Sequence, residues 1–220
     1  MITVISRHES QLSPTLRDDL GRYRHAVFIK QLGWRLPADT HQPGHEADQF
    51  DHADTRYTLA LDSEEKVHGC ARLLPTTQPY LLADVFGFLC DRPLPRQHDT
   101  WEISRFAASA LENGKLPMRV FWHTLHTAWT LGANSVVAVT TPALERYFLR
   151  HGVALSRLGQ PQRVNRDHLL ALDFPAYQKN GRAALYTQSA AVASLNQAFL
   201  RGNPPPTRRG LPAAGQALRE

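Results

Sequence analysis

The amino-acid sequence predicts a mixed α/β fold, in which a mostly antiparallel, twisted sheet carries helices on both faces. Apolar segments with the two-residue period of strands alternate along the chain with segments of three- and four-residue helical spacing. Residues 135–141 are almost continuously apolar, which is typical of a strand buried on both faces. Residues 56–62 and 67–75 are joined by a short polar turn, and this arrangement favours an antiparallel hairpin.

Capping residues and apolar spacing give the expected order of elements. Strands are expected at residues 2–6, 56–62, 67–75, 101–106, 135–141, 153–158 and 168–174. Helices are expected at residues 14–32, 80–89, 116–131, 142–150 and 183–200. Ser13 and Thr141 each precede a proline, as an N-cap precedes the first residue of a helix. Gly33, Gly132 and Gly152 are the expected ends of three helices.

Length and composition favour one domain followed by a tail. The chain has 220 residues, of which 42% are apolar and 20% charged, close to ordinary globular usage. We expect a single domain over residues 1–200 and a disordered tail over 201–220, where three consecutive prolines and small residues bury little apolar area. The N-terminus lacks a long apolar run, and the two cysteines form no CxxC motif. These features predict a cytoplasmic protein with no membrane span.

The formal net charge is +5, from 25 Lys and Arg against 20 Asp and Glu. An excess of this size suggests an acidic partner. A nucleic-acid-binding module is one alternative, but it predicts clustered basic residues with exposed aromatics. Here the basic residues are spread out, and the densest run, Arg208-Arg209, lies in the expected tail. We therefore expect no nucleic-acid partner.

The segment Trp101–Phe106 places an acid and a base inside an apolar strand. Such charges are costly unless they are paired or functional, and the plain alternative is a solvated pair near a sheet edge. In a regular strand Glu102 and Ser104 point to one face and Arg105 to the other. Only a β-bulge would turn Glu102 and Arg105 the same way.

Arg72 poses a similar question, because it lies in a strand of small and apolar residues and needs an anionic partner. The alternative is an ordinary salt bridge at the end of the strand. The long acidic segment over residues 35–55 carries Asp48 and Asp51. Long ordered loops are usually functional, although this one could also be a solvated loop.

A metal site is a further possibility that the sequence disfavours. His41, His45, Asp48 and His52 have ligand-like spacing. Pro43-Gly44 prevents these residues from sharing one helical face, and no cysteine supports the site. We expect no metal.

Eight residues together resemble the signature of the acyl-homoserine-lactone synthases of the LuxI family. They are Arg24, Phe28, Trp34, Asp48, Asp51, Arg72, Glu102 and Arg105. The matching phrases read RYRHAVF from Arg22, LGW from Leu32, DQFD from Asp48, ARLLPTT from Ala71 and WEISRF from Trp101. All eight positions are filled in the right order, and the resemblance covers about residues 5–175. The order of elements likewise resembles the acetyltransferase (GNAT)-like α/β/α sandwich, which binds acyl thioesters.

The resemblance implies a reaction between two substrates and no cofactor. S-adenosylmethionine is a substrate, whose amine attacks an acyl thioester to form an amide. Its carboxylate then displaces the sulfonium group and closes the lactone, releasing methylthioadenosine. The acyl donor is usually acyl carrier protein, and acyl-coenzyme A stays open as a donor. The competing activity on this fold, an acyl-coenzyme A N-acyltransferase, would need a glycine-rich pyrophosphate loop. Residues 111–115 read LENGK instead.

The resemblance also implies roles for the eight residues. Glu102 is the expected base for the substrate amine, and burial is expected to raise its pKa. The acids would hold the cationic end of S-adenosylmethionine, the arginines would grip its carboxylate or organise the acids, and the aromatics would contact adenosine and the sulfonium. The acids are Asp48 and Asp51, the arginines are Arg72 and Arg105, and the aromatics are Phe28 and Trp34. Arg24 would close the pocket.

The second half of the chain is expected to hold the acyl group. Val139, Thr140 and Leu125 are the candidate lining residues of the acyl-chain pocket. In the LuxI family a threonine at the position of Thr140 often goes with acyl chains oxidised at the third carbon. The alternative is that Thr140 caps the following helix, but Thr141 is the better cap by position.

A basic patch would suit an acidic carrier protein. Arg146, Arg150 and Arg157 lie in or near the helix that begins at Pro142. We expect them to form a docking patch for acyl carrier protein, and the alternative is an ordinary charged helix face.

Overall fold

The computed structural model of the chain describes residues 1–34 and 43–176. Within these residues, most strands and helices form where the apolar spacing and the capping residues of the sequence predict them. Among these residues the strands are β1 Thr3–His8, β2 Arg56–Leu61, β3 Val67–Pro75, β4 Thr100–Ala108, β5 Ser135–Thr140, β6 Ser156–Arg157, β7 Gln162–Val164 and β8 Asp167–Pro175. The α-helices are α1 Pro14–Arg24, α2 Leu81–Val85, α3 Leu116–Thr130 and α4 Pro142–Arg150. The expected helix at 183–200 and the tail at 201–220 lie outside the described residues.

The described chain divides into two compact units. The first comprises Met1–Pro75 and Ile103–Thr124, and the second comprises Thr76–Glu102 and the residues from Leu125 onward. Strand β4 and helix α3 each contribute residues to both units.

In the first unit the strands lie in the order β1-β2-β3-β4. β1 pairs antiparallel with β2, and β2 forms the predicted antiparallel hairpin with β3. Helix α1 packs through Leu20 on the face of the sheet that carries Leu59 and Cys70. Gly69 points to the opposite face, where an added Cβ would lie 3.2 Å from Val120 of α3. The first unit therefore has a helix on each face.

In the second unit the strands lie in the order β4-β5-β8-β6, and β7 pairs with β8. β4 and β5 are parallel, whereas the pairings of β8 with β5, β6 and β7 are antiparallel. Glu102 of β4 pairs with Val137 and contacts α2. Phe174 pairs with Val136 of β5, the neighbour of Val137, and so points to the opposite face. There its ring lies against Phe148 of α4, with ring centroids 5.4 Å apart. Helices therefore cover both faces here too, and the predicted mixed, mostly antiparallel α/β fold is confirmed.

Local capping signals are confirmed at both proline-led helices. The Ser13 hydroxyl accepts the backbone N–H of Leu16 at 3.2 Å, and Thr141 accepts that of Leu144 at 3.4 Å. The first helix is not α-helical throughout, however, because a π-helical segment, His25–Gln31, follows α1. Such segments often occur at functional sites.

Two further elements differ from the expectation. The helix expected at 80–89 is split into α2 and a 3₁₀ turn at Gly87–Leu89. The strand expected at 153–158 is reduced to β6, because Val153 completes the end of α4 instead. Its N–H donates to Phe148 O at 3.1 Å after Gly152 adopts a positive φ of 73°. No helix in the described part of the chain is long and apolar enough to span a membrane.

Candidate active site

Three arginines and three acids of the first unit alternate in a closed ring of ion pairs. Arg24 ends α1, Arg72 lies on β3 and Arg105 on β4. The acids come from the segment between the π-helical segment and β2, and they are Glu46, Asp48 and Asp51. We call these six residues the charge ring.

Glu46 joins two of the arginines. Arg24 donates from Nε to Glu46 Oε2 at 2.5 Å and from Nη1 to Asp51 Oδ1 at 2.9 Å. Arg105 donates from Nη2 to Glu46 Oε1 at 3.0 Å and to Asp48 Oδ2 at 2.5 Å.

Arg72 closes the ring between the two aspartates. Its Nη1 donates to Asp51 Oδ1 at 2.8 Å, and it binds both carboxylate oxygens of Asp48. Its Nε donates to the Ser104 hydroxyl at 3.0 Å. Each acid therefore contacts two arginines and each arginine two acids, so that the formal charges of the ring cancel.

The charge ring is removed from water. Arg72, Arg24 and Arg105 are only 0%, 2% and 4% exposed, and Glu46 is equally buried. Buried charges of this kind are retained only when they are paired, because desolvation is costly. The sequence prediction that Arg72 and Arg105 need anionic partners is thus matched by their contacts.

A backbone irregularity in β4 directs Arg105 into the ring. Arg105 has a positive φ of 51°, in the left-handed region that non-glycine residues rarely adopt. Ser104 and Arg105 are consecutive, yet Ser104 contacts Arg72 and Arg105 contacts Asp48 in the same network. A regular strand would have sent these side chains to opposite faces. The regular alternation expected along β4 therefore does not hold between Ser104 and Arg105, and the relative direction of Glu102 and Arg105 stays a prediction.

The ring holds its acids in the charged form. Burial alone would raise the pKa of Asp51, but the charges of Arg24 and Arg72 outweigh burial and hold that pKa well below its usual range. Burial likewise opposes ionisation of Glu46, and Arg24 and Arg105 lower its pKa. For Arg24 and Arg72 burial favours the neutral form, yet the neighbouring carboxylates raise both pKa values.

Tyr57 also belongs to this network, and sequence reasoning missed it. Its hydroxyl donates a short hydrogen bond to Asp51 Oδ1 and accepts one from Arg24 Nη1 at 3.1 Å. Burial raises the pKa of Tyr57, so the phenol stays neutral. A tyrosine in an apolar strand gives no sequence signal of such a contact.

Glu46 was also missed as a site residue, although a signal for it existed. The sequence analysis named Asp48 and Asp51 from the acidic segment at residues 35–55 and passed over Glu46, which lies two residues before Asp48 in the same segment. That position was its only signal.

The two predicted aromatic residues stack beside the ring. The rings of Phe28 and Trp34 are 4.7 Å apart and nearly parallel. The guanidinium carbon of Arg105 lies 5.2 Å from the centroid of Trp34 and 5.7 Å from that of Phe28. Phe28 is buried, but Trp34 is 38% exposed. One side of the stack is thus held by a cation, and Trp34 presents aromatic surface to solvent.

Glu102 belongs to the second unit and is fully buried. Its carboxylate accepts the backbone N–H of Leu81 at 2.9 Å and of Leu82 at 2.6 Å, the first two residues of α2. The raised pKa expected for Glu102 stays a prediction, and the two bonds fix the orientation of its oxygens.

The acyl-chain candidates also lie in the second unit. Leu125 is buried in α3. Val139 and Thr140 are consecutive in the regular strand β5, so their side chains point to opposite faces of the sheet. The Thr140 hydroxyl is buried and has no hydrogen-bond partner among residues 1–34 and 43–176. Thr141 caps α4, which leaves the Thr140 hydroxyl available to a ligand.

The three candidate docking arginines differ in their contacts. Arg146 and Arg150 are exposed on α4. Arg157 instead forms two hydrogen bonds with Glu145, at 2.6 and 2.7 Å. Its charge is therefore already balanced by the buried carboxylate of Glu145.

The described candidate metal ligands form no cluster of three. His45 pairs with Asp18, with Nε2 and Oδ1 2.5 Å apart, while Asp48 belongs to the charge ring. His41 lies outside the described residues. Within the described ranges no three His, Cys, Asp or Glu residues are placed to hold a metal ion.

Known proteins are similar to this chain in both sequence and fold. The model of the autoinducer synthase family matches residues 8–184. An acyl-homoserine-lactone synthase of Pseudomonas aeruginosa is 52% identical over 181 residues, which cover 82% of this chain and 90% of that protein. The crystal structure of TofI in a ternary complex with an inhibitor and MTA has a TM-score of 0.72 and 34% identity, covering 88% of this chain and 96% of TofI.

A more distant neighbour supports the acetyltransferase-like fold. An acyl-CoA N-acyltransferase from Pseudomonas aeruginosa has a TM-score of 0.59 at 15% identity, over 79% of this chain and 99% of its own. At this identity the likeness concerns the fold alone. The family match, in contrast, spans most of the chain, as does the 52% identity to a synthase. The chain belongs to the autoinducer synthase family.

Proposed function

We propose that this protein makes an N-acyl-homoserine lactone from S-adenosylmethionine and an acyl thioester. The observation that carries the proposal is the charge ring with its Phe28–Trp34 stack, in a chain that is 52% identical to an acyl-homoserine-lactone synthase. The relative TofI, at 34% identity, binds MTA, which is methylthioadenosine, the by-product that this reaction would release.

The reaction has two bond-forming steps. The substrate amine loses a proton and attacks the thioester carbonyl, so that a C–N bond forms and the C–S bond breaks. The thiol of the donor leaves with a proton. A carboxylate oxygen then attacks the carbon that bears the sulfonium, which closes the lactone and expels neutral methylthioadenosine.

Glu102 is the proposed base for the first step. An ammonium group must be deprotonated before it can attack, and a positioned carboxylate can take the proton directly or through water. The bonds from the backbone of Leu81 and Leu82 hold the Glu102 carboxylate in one orientation. A fixed orientation favours proton transfer because no conformational freedom is lost on reaching the transition state.

The first unit is proposed to bind S-adenosylmethionine. Trp34 offers an exposed aromatic face, backed by Phe28 and the guanidinium of Arg105, for the adenine ring and the sulfonium cation. Arg24 Nη2 is buried and has no partner among the described residues, so it can donate to the substrate carboxylate. Arg72 and Arg105 organise the acids, which is the second of the two roles considered for them.

Asp48 and Asp51 are proposed to face the cationic end of the substrate. Their side chains are somewhat more exposed than the buried Glu46 carboxylate. Because the ring as a whole is neutral, they act as oriented acceptors within it, not as a free double negative charge.

Acyl carrier protein is the proposed donor. Arg146 and Arg150 leave two exposed positive charges on α4, which suit an acidic partner. Acyl-coenzyme A is the alternative. Turnover with each donor, charged with the same acyl chain, distinguishes them by kcat/KM.

Mass spectrometry of the reaction products tests the proposed function. S-adenosylmethionine and an acyl thioester should give a lactone and methylthioadenosine in equal amounts. Glu102→Gln should lower kcat by at least about a hundredfold while S-adenosylmethionine still binds. Glu112→Gln, which alters an exposed pair with Arg119, is the matched control and should keep full turnover. Near wild-type turnover by Glu102→Gln would remove Glu102 from the role of base.

A further inference from the structure

We infer that Glu46 is a positioning residue for S-adenosylmethionine, acting through Arg105 and Arg24; the inference rests on the function proposed above. Glu46 is not among the residues that the sequence signature marks. It is the only ring acid, among the described residues, that contacts both Arg24 and Arg105.

Glu46 reaches Arg105 with good geometry. Arg105 donates from Nε at 3.1 Å and from Nη2 at 3.0 Å to Glu46 Oε1. Arg105 Nε also donates to Glu46 Oε2 at 3.3 Å. Bonds from one guanidinium edge to both oxygens of a carboxylate fix the plane of that group more firmly than a single bond does. The guanidinium so held is the one that lies against the rings of Trp34 and Phe28. Glu46 thus helps to fix the position of the guanidinium against which the Phe28–Trp34 stack lies.

The other oxygen of Glu46 holds Arg24. Arg24 Nε donates to Oε2 at 2.5 Å, at the junction of α1 and the π-helical segment that carries Phe28. The backbone N–H of Glu46 donates to Gly21 O at 3.0 Å, which ties the residue to α1. One side chain therefore links the two supports of the proposed adenosine surface, the cation beside the stack and the helix that bears Phe28.

Charge and reach can be separated by two substitutions. Glu46→Asp keeps the ring neutral but withdraws the carboxylate by one C–C bond, about 1.5 Å. A carboxylate that much shorter cannot keep hydrogen-bond distance to both arginines at once. Glu46→Gln keeps the reach but removes the charge, and its amide N–H₂ would face an arginine N–H.

The test measures both substrates for Glu46→Asp, with Glu112→Asp as the matched control on the exposed Arg119 pair. If Glu46 positions the arginines, Glu46→Asp should stay folded and raise the Kd and KM for S-adenosylmethionine about tenfold to a hundredfold. The KM for the acyl donor should stay within about twofold, because the proposed acyl-chain and docking residues belong to the second unit. Glu46→Gln should show the same selective loss, together with a lower melting temperature.

Three outcomes would overturn the inference. The first is a Glu46→Asp protein with wild-type KM for S-adenosylmethionine, since charge alone would then be what matters. The second is an equal rise in both KM values, and the third is a Glu46→Asp protein that does not fold, since the side chain would then serve stability. Failure of the proposed function looks different, because the wild-type protein itself would form no lactone.

Discussion

Asp51→Asn opens the charge ring with almost no change in side-chain volume. Asp51 Oδ1 accepts from Arg24 and Arg72, and Oδ2 accepts the backbone N–H of Asp48 at 2.9 Å. Asparagine offers one oxygen in place of two, so either the arginines or the Asp48 N–H must face an N–H₂ group. The substitution also leaves the buried ring with an uncompensated positive charge.

The expected cost follows from these losses. A buried N–H without an acceptor costs about 1–3 kcal/mol. Breaking a buried ion pair by removing one partner costs about 3–5 kcal/mol in total. We therefore expect the free energy of unfolding of Asp51→Asn to fall by ~4 kcal/mol. With an m-value of about 2 kcal/mol/M, the urea midpoint should fall by ~2 M.

Urea unfolding followed by circular dichroism checks this value at neutral pH. Glu112→Gln is again the control, because its exposed pair with Arg119 should be worth about 0–1 kcal/mol. A midpoint for Asp51→Asn within about 0.5 M of the wild type would refute the argument that the ring is a closed, desolvated network.

Further predictions concern pH, the acyl chain and the donor. The pKa values of Glu46 and Asp51 are lowered in the folded protein, so the stability that their ionisation contributes is present above an unfolded-state pKa of about 4 and is lost as the pH falls below it. The urea midpoint should therefore be lower at pH 3 than at pH 7, and equal midpoints would contradict this prediction. Thr140→Val removes a buried hydroxyl without a partner in the described chain, so stability should hold or rise by about 1 kcal/mol while any preference for 3-oxo donors disappears in competition assays. An unchanged preference would count against Thr140. Arg146→Ala with Arg150→Ala should raise the KM for acyl carrier protein and weaken its salt dependence, whereas Arg157→Ala should do so less because Glu145 already pairs with Arg157.

Local signals predicted much of the fold. Ser13-Pro14 and Thr141-Pro142 marked helix starts correctly, because an N-cap hydroxyl and a proline act within a single turn. The hairpin of β2 and β3 followed from a short turn between two apolar runs. Val153 misled the prediction because an apolar residue after a helix can serve the end of that helix as readily as a strand.

The candidate site was predictable in its residue types but not in its connections. Five of the six ring residues were named from the sequence, because Arg72 and Arg105 are conspicuous charges inside apolar strands and the resemblance to a known family supplied Arg24, Asp48 and Asp51. Which of these residues pair with each other depended on the positive φ of Arg105, because this backbone conformation lets the consecutive side chains of Ser104 and Arg105 reach the same network. No local propensity of the sequence SRF indicates such a backbone, because the network itself must stabilise it.

Alternation of sign in the charge ring limits how its six positions can change over evolution. Loss of one member leaves a net charge in a buried place, whereas joint loss of two neighbours of opposite sign leaves four residues that still balance. Substitutions at these positions should therefore be accepted in acid–base couples, such as Asp51 with Arg72. Anyone who redesigns the specificity of this protein would need to exchange such couples and leave single members of the ring alone.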